Sequence, residues 1–125
     1  MGRGRILLAD DDPRVLQVVS RYLDLEGYDV ATAVDGETAV ASAVAAPPDL
    51  VILDIMMPGI DGFEACRQIR ANASTARTPV LMFSALSEES DAARTAGADG
   101  LIAKPFSLPD LGEAVRSFVS KTDDS

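Results

Sequence analysis

The stretch Leu50-Val51-Ile52-Leu53-Asp54-Ile55-Met56-Met57-Pro58-Gly59-Ile60-Asp61-Gly62 governs how the rest of the chain is read. Four consecutive apolar residues, two of them β-branched, predict a strand buried on both faces, because a half-exposed strand would alternate polar and apolar side chains. The run ends on a carboxylate, and Pro58, Gly59 and Gly62 then interrupt both strand and helix. Asp54 therefore stands at the carboxyl end of a central strand, the edge at which open parallel α/β sheets bind ligands. Taken alone, Asp54 reads first as a turn residue or a helix cap, since Asp bonds its own local backbone. It is not alone. Arg5-Ile6-Leu7-Leu8-Ala9 is a second apolar run, and it ends in Asp10-Asp11-Asp12. If the two strands are parallel neighbours, their carboxylates meet in one crevice.

The chain has 125 residues, a length that fits one domain, with a core over about residues 5–120 and short tails in the span 1–125. With 47% hydrophobic and 5% aromatic residues, the core is built from Val, Leu, Ile and Ala, as suits strands covered by helices. A net charge of −9 repels a nucleic-acid backbone, so direct nucleic-acid binding is not expected. Arg3 and Arg5, the only basic cluster, read as a solvated terminus. The single cysteine, Cys66, excludes an internal disulfide and shares helical spacing with Phe63 and Ile69, which reads as core packing. There are no histidines, which excludes His-based catalysis and Cys/His zinc sites. No membrane span or signal peptide is apparent, and a cytoplasmic location is expected.

In chain order, Asp12-Pro13 starts a helix, Asp as cap and Pro at the first helical position. Val15, Val18, Val19, Tyr22 and Leu23 form its inner face, and Gly27 ends it. Asp29 to Ala33 is a strand of mixed polarity, suited to a sheet edge. Asp35-Gly36 opens a second helix with Ala39, Val40, Ala43 and Val44 inward, closed by Pro47-Pro48. After the central strand, Asp61 to Glu64 matches an Asp form of the capping box at the head of a third helix. Asn72 to Thr78 reads as a loop, Pro79 to Phe83 as a fourth strand, and Ser87 as the cap of a short helix through Ala96. Leu101-Ile102-Ala103 is a fifth strand, and Ser107 caps a last helix with Leu111, Val115, Phe118 and Val119 inward. Five strands alternating with five helices predict a doubly wound parallel sheet.

Each apolar strand delivers a polar residue of a different kind to one edge: Asp10 and Asp11, Asp54, Ser84, Lys104. Carboxylates about 4 Å apart repel by roughly 4 kcal/mol per pair at an effective dielectric near 20, so the cluster demands positive charge. One lysine supplies a single unit, and the remaining oxygen-lined pocket suits Mg²⁺, which keeps several waters and accepts a phosphoryl oxygen. Singly, Lys104 reads as a solvated lysine and Ser84 as a cap or turn; Asp12 and Asp61 are assigned to capping.

Taken together, Asp10-Asp11, Leu53 to Gly59 with Asp61-Gly62, Ser84-Ala85 and Lys104-Pro105-Phe106 resemble the receiver domain of two-component response regulators, of the chemotaxis-regulator kind. The resemblance spans roughly residues 5 to 120. It implies a flavodoxin-like five-stranded sheet of order 2-1-3-4-5. It further implies that Asp54 accepts a phosphoryl group from a phosphohistidine on a histidine kinase or phosphotransfer protein. By the same resemblance Asp11, Asp54 and the Met56 backbone carbonyl hold Mg²⁺, with Asp10 acting largely through water. Lys104 and Ser84 bind phosphoryl oxygens, and Lys104-Pro105 is a candidate cis bond. The domain then switches its output face, made by the fourth helix, fifth strand and fifth helix, toward a downstream protein or effector domain. It catalyses only its own phosphorylation and slow dephosphorylation. A homodimer through that face is compatible with the resemblance, as are a stand-alone protein and a fragment of a longer regulator.

One position departs from the family. The aromatic residue usual three places before the lysine is Leu101 here, so switching is expected to rest on backbone shifts. Rival readings fit less well. An aspartyl-phosphate phosphatase would have a second Asp where Met56 stands; a flavodoxin-like nucleotide binder would lack three acids after the first strand. A receiver-like interaction domain that never gains phosphate would have no use for the intact acidic, hydroxyl and ammonium set.

Overall fold

Three unbroken apolar runs form the middle of one sheet in the computed structural model, which describes residues 3–85 and 90–123, with side chains through 119. These are β1 (Arg5–Ala9), β3 (Leu50–Asp54) and β4 (Val80–Ser84). β2 (Asp29–Ala33) and β5 (Gly100–Ala103) lie outside them, giving the all-parallel order β2-β1-β3-β4-β5. The intervening helices are α1 (Pro13–Leu25), α2 (Gly36–Ala45), α3 (Gly62–Ala71), α4 (Ser90–Ala96) and α5 (Leu108–Asp123).

Alternation along the strands sorts the core into two layers. Ile6, Leu8, Leu50, Ile52, Leu81 and Phe83 face α1 and α5, where Val19, Leu23, Leu111 and Val115 cover them. Leu7, Ala9, Val51, Leu53 and Met82 face α2, α3 and α4. There Ala39, Ala43, Ala93 and Ala96 let the helices approach closely, while Cys66 and Ile69 fill the centre. Cys66 is fully buried, and burial pushes its thiol up, as a packing residue requires.

Short polar side chains set the helix starts. Asp12, Asp35 and Asp61 accept from the backbone N–H of Arg14, Thr38 and Glu64 at 2.9, 2.7 and 2.9 Å, and Ser107 Oγ accepts from Asp110 at 3.1 Å. Gly27 ends α1 with φ +101°, a left-handed conformation that glycine adopts without a Cβ penalty. The expected cap at Ser87 lies outside the described residues.

Four details differ from the sequence reading. Val18 is 52% exposed, because the face of α1 that packs on the core is Val15, Leu16, Val19, Tyr22 and Leu23; Val18 lines a shallow apolar groove with Phe106 and Leu108. β4 begins and ends one residue later than expected, so Ser84 belongs to the strand. β5 begins one residue earlier than expected, at Gly100, and lies at the edge that the order 2-1-3-4-5 implies. Only half of the capping box forms, since the Glu64 carboxylate turns along the helix to Arg67 and Gln68. The connection after α3 is anchored by a buried threonine: Thr75 Oγ1 donates to the Ile69 carbonyl at 2.6 Å.

At the amino ends of the strands, the Arg70 guanidinium donates to the carbonyls of Gly97 at 3.0 Å, Ala76 at 3.3 Å and Thr78 at 2.5 Å, and to Asp99. Asp99 also accepts from Val80 N at 2.9 Å. Among the described residues no helix is long and apolar enough to cross a membrane.

Candidate functional site

The carboxyl edge of the sheet gathers the chemistry. β1 and β3 are direct neighbours, so the residues that end them emerge side by side. The run Asp10-Asp11-Asp12 divides into three roles. Asp10 is fully buried: its N–H donates to Ala33 O at 3.1 Å, its Oδ1 accepts from Asp12 N at 2.9 Å, and its Oδ2 meets Lys104 Nζ at 3.1 Å. Asp11 is exposed at the rim, and Asp12 caps α1. Asp54 is 6% exposed and pairs through Oδ1 with the same Lys104 Nζ at 3.2 Å. Asp10, Asp11 and Asp54 each present a carboxylate oxygen within 4.8 Å of the others.

Lys104 follows β5, and its backbone N–H donates to Ser84 O at 2.6 Å, joining the ends of β4 and β5. The Lys104-Pro105 bond is cis. Ser84, buried, sits opposite Ala103 in the β4–β5 register. Its place beside Lys104 is thereby given by the backbone. The loop after Asp54 returns so tightly that Gly62 N donates to Ile55 O at 2.9 Å. A Cβ on Gly62 would fall 2.5 Å from Asp54 O and 2.8 Å from Ile55 Cα, so only glycine fits. Met56, in that loop, is exposed.

The electrostatics follow from burial and charge count. Burial first, then the Asp10 carboxylate, push the Asp54 carboxyl up to about 6; the Lys104 ammonium opposes them, and Asp11 adds a smaller push. Burial pulls the Lys104 ammonium down, but Asp54 and Asp10 outweigh it and hold the group above its ordinary value. One fixed cation thus faces three acids. The donors are hard oxygens, and the excess negative charge is what a divalent cation such as Mg²⁺ offsets, so the cluster could hold one.

Asp10, Asp11, Asp54 and Lys104 come together as the sequence predicted, and Ser84 lies at the adjoining strand end. Sequence reasoning placed Phe83 in the fourth strand and Phe106 in the Lys104-Pro105-Phe106 motif but gave neither a role at the site. Their rings stack at 4.7 Å between centroids with a 28° interplanar angle, and Lys104 Nζ lies 5.6 Å from the Phe83 centroid. The usable signal was strand parity: Phe83 is the register partner of Asp54, so the two side chains leave the sheet on the same face.

The response regulator receiver domain model matches residues 6–116. The DNA-binding dual master transcriptional regulator RpaA of a Synechocystis species is 43% identical over 121 residues, 95% of this chain and 50% of that protein. The phosphate regulon transcriptional regulatory protein PhoB of Rhizobium meliloti is 40% identical over 114 residues, 89% of this chain and 50% of that protein. The chain thus spans about half the length of these curated relatives. Among solved structures, a chemotaxis response regulator of Vibrio cholerae superposes with a TM-score of 0.87 at 34% identity, covering 91% of this chain and 97% of the other. The receiver domain of a Pseudomonas aeruginosa sensor histidine kinase, solved with a magnesium ion in its active-site cleft, superposes with a TM-score of 0.87 at 31% identity, covering 94% and 98%. Sheet order, matched length and relatives agree that this chain belongs to the receiver domains of two-component response regulators.

Proposed function

We propose that the chain is a single receiver domain, with its core over about residues 5–120, that accepts a phosphoryl group on Asp54. The donor is a phosphohistidine of a partner histidine kinase or phosphotransfer protein; the chain's lack of histidine means the imidazole must come from outside. An Asp54 carboxylate oxygen attacks phosphorus, the P–N bond breaks, and the departing imidazole keeps the electron pair and takes a proton. With its carboxyl at about 6, Asp54 is ionised near neutral pH and able to attack.

Asp11 and Asp54, with the Met56 carbonyl, would hold Mg²⁺, and Asp10 would act largely through water. Bound there, the ion neutralises charge on the equatorial oxygens of the transferring group. Lys104, already placed between Asp10 and Asp54, follows the growing negative charge to a phosphoryl oxygen, and Ser84 binds another. Receiver domains act as phosphorylation-regulated switches rather than as enzymes, and this one catalyses only its own phosphorylation and slow dephosphorylation. The change passes from Ser84 and Lys104 to the face of α4, β5 and α5, and on to a downstream protein or effector domain. With Leu101 in place of an aromatic residue, backbone shifts carry it. The setting is the cytoplasm.

The observation that carries this reading is the single ammonium within 3.1 and 3.2 Å of two buried carboxylates, with a third carboxylate at the rim. Incubation with acetyl phosphate and Mg²⁺, followed by intact mass, tests it. One added phosphoryl group, lost in Asp54→Asn, is expected. No addition, or addition that persists in Asp54→Asn, defeats it.

A further inference from the structure

We propose that Phe83 is a positioning residue of this site, whose ring, stacked on Phe106, fixes where the Lys104 ammonium rests. The inference rests on the reading of Asp54 as acceptor and Lys104 as its counter-charge. A lysine head on a four-carbon stem has many rotamers, and two carboxylates on one side do not by themselves select one. The third side here is aromatic. Phe83 is fully buried at the end of β4, opposite Asp54 in register, and its ring lies 5.6 Å from Lys104 Nζ. The negative face of a ring attracts an ammonium, more strongly where water is excluded.

Phe106 makes the device a unit. It is two residues beyond Lys104 and stacks on Phe83 at 4.7 Å, so the segment after β5 is fastened to the end of β4 on both sides of the lysine. The Lys104 N–H to Ser84 O bond of 2.6 Å supplies the backbone half of the same fastening. Replacing the ring with an aliphatic side chain keeps the core apolar but removes both the stack and the attraction. The ammonium then samples positions away from Asp54, and transfer slows.

The test uses the full chain. In Phe83→Leu, and separately in Phe106→Leu, the Lys104 ε-methylene protons are followed by NMR without phosphodonor, and phosphorylation by acetyl phosphate with Mg²⁺ is timed. Leu23→Val, in the same core layer but away from the site, controls for lost stability. The wild type and Leu23→Val are expected to show the upfield ring-current shift at Lys104. Phe83→Leu is expected to lose it and to accept phosphate roughly three- to tenfold more slowly, the range a partly desolvated cation–π contact supports. Should Phe83→Leu fail to fold, the more exposed Phe106→Leu is expected to reduce both readouts. An unchanged Lys104 shift, or a lost shift with an unchanged rate, overturns the proposal. Absence of any phosphorylation in the wild type instead sinks the functional reading, while the NMR comparison still decides whether Phe83 holds Lys104.

Discussion

Replacing Asp54 with Asn in the metal-free domain should make the protein more stable, although it removes one partner of an ion pair. Burial and Asp10 push the folded carboxyl up to about 6, about two pH units above the 3.8 of a free aspartate side chain. At about 1.4 kcal/mol per unit, ionised Asp54 costs the fold about 3 kcal/mol, a large share of the 5–15 kcal/mol typical of a domain. The sign follows from proton linkage. The native carboxyl holds its proton more tightly than the unfolded chain does. The cost is therefore absent below the unfolded pKa, grows between about pH 4 and 6, and is fully present above that. Asn is neutral throughout, leaves Lys104 its bond to fully buried Asp10, and ends the repulsion between Asp54 and Asp10. Urea unfolding followed by circular dichroism, in chelator, measures the difference. Asp54→Asn should exceed the wild type by about 3 kcal/mol at about pH 7.5, with the gain fading toward pH 4. A variant less stable than the wild type at neutral pH, or a gain that does not change with pH, would show that Lys104 over-compensates the acids and refute the reasoning.

Lys104→Met removes the built-in cation and leaves fully buried Asp10 without it. Unfolding in chelator should show a loss of about 3 kcal/mol, and calorimetric titration should show tighter Mg²⁺ binding than in the wild type, since no ammonium competes. Gly62→Ala forces a Cβ to within 2.5 Å of Asp54 O and 2.8 Å of Ile55 Cα, both backbone atoms that cannot step aside. A loss of about 2–3 kcal/mol is expected in denaturant titration, together with displaced Asp54 and Ile55 amide resonances. Thr75→Val deletes the 2.6 Å bond to Ile69 O at nearly constant volume, and the same titration should read a loss of about 1 kcal/mol with no effect on Mg²⁺ affinity.

What the sequence disclosed, and what it concealed, has a physical pattern. Unbroken apolar runs place strands in the middle of a parallel sheet, and Leu50 to Leu53 and Leu7 to Ala9 are buried accordingly. Asp, Pro and Ser at helix starts act through bonds only two or three residues long, so Asp12, Asp35, Asp61 and Ser107 were legible as caps. The acids and Lys104 were legible because strand ends in a parallel sheet share one edge. Features depending on long-range packing were not. Val18 has the right period for a buried face but falls beside the stripe that reaches the sheet. Glu64 has two competing partners one turn further along its helix. Phe83 looked like any apolar strand residue, since nothing local says which ring will stand beside a lysine far along the chain. Arg70 finds its acceptors in three separate segments, and nothing in its local sequence points to them.

That arginine gives the molecule a division of labour between its two rims. Where the strands begin, one planar side chain binds the connection after α3, the end of α4 and the approach to β5. Where the strands finish, the described residues set three acids around a single ammonium, with the Phe83–Phe106 stack and the Lys104 N–H to Ser84 O bond tying β5 to β4 beside them. On the proposed function, integrity is vested in the heel of the domain and responsiveness in its toe, so a phosphoryl group arriving at Asp54 would rearrange its neighbours without loosening the Arg70 joints.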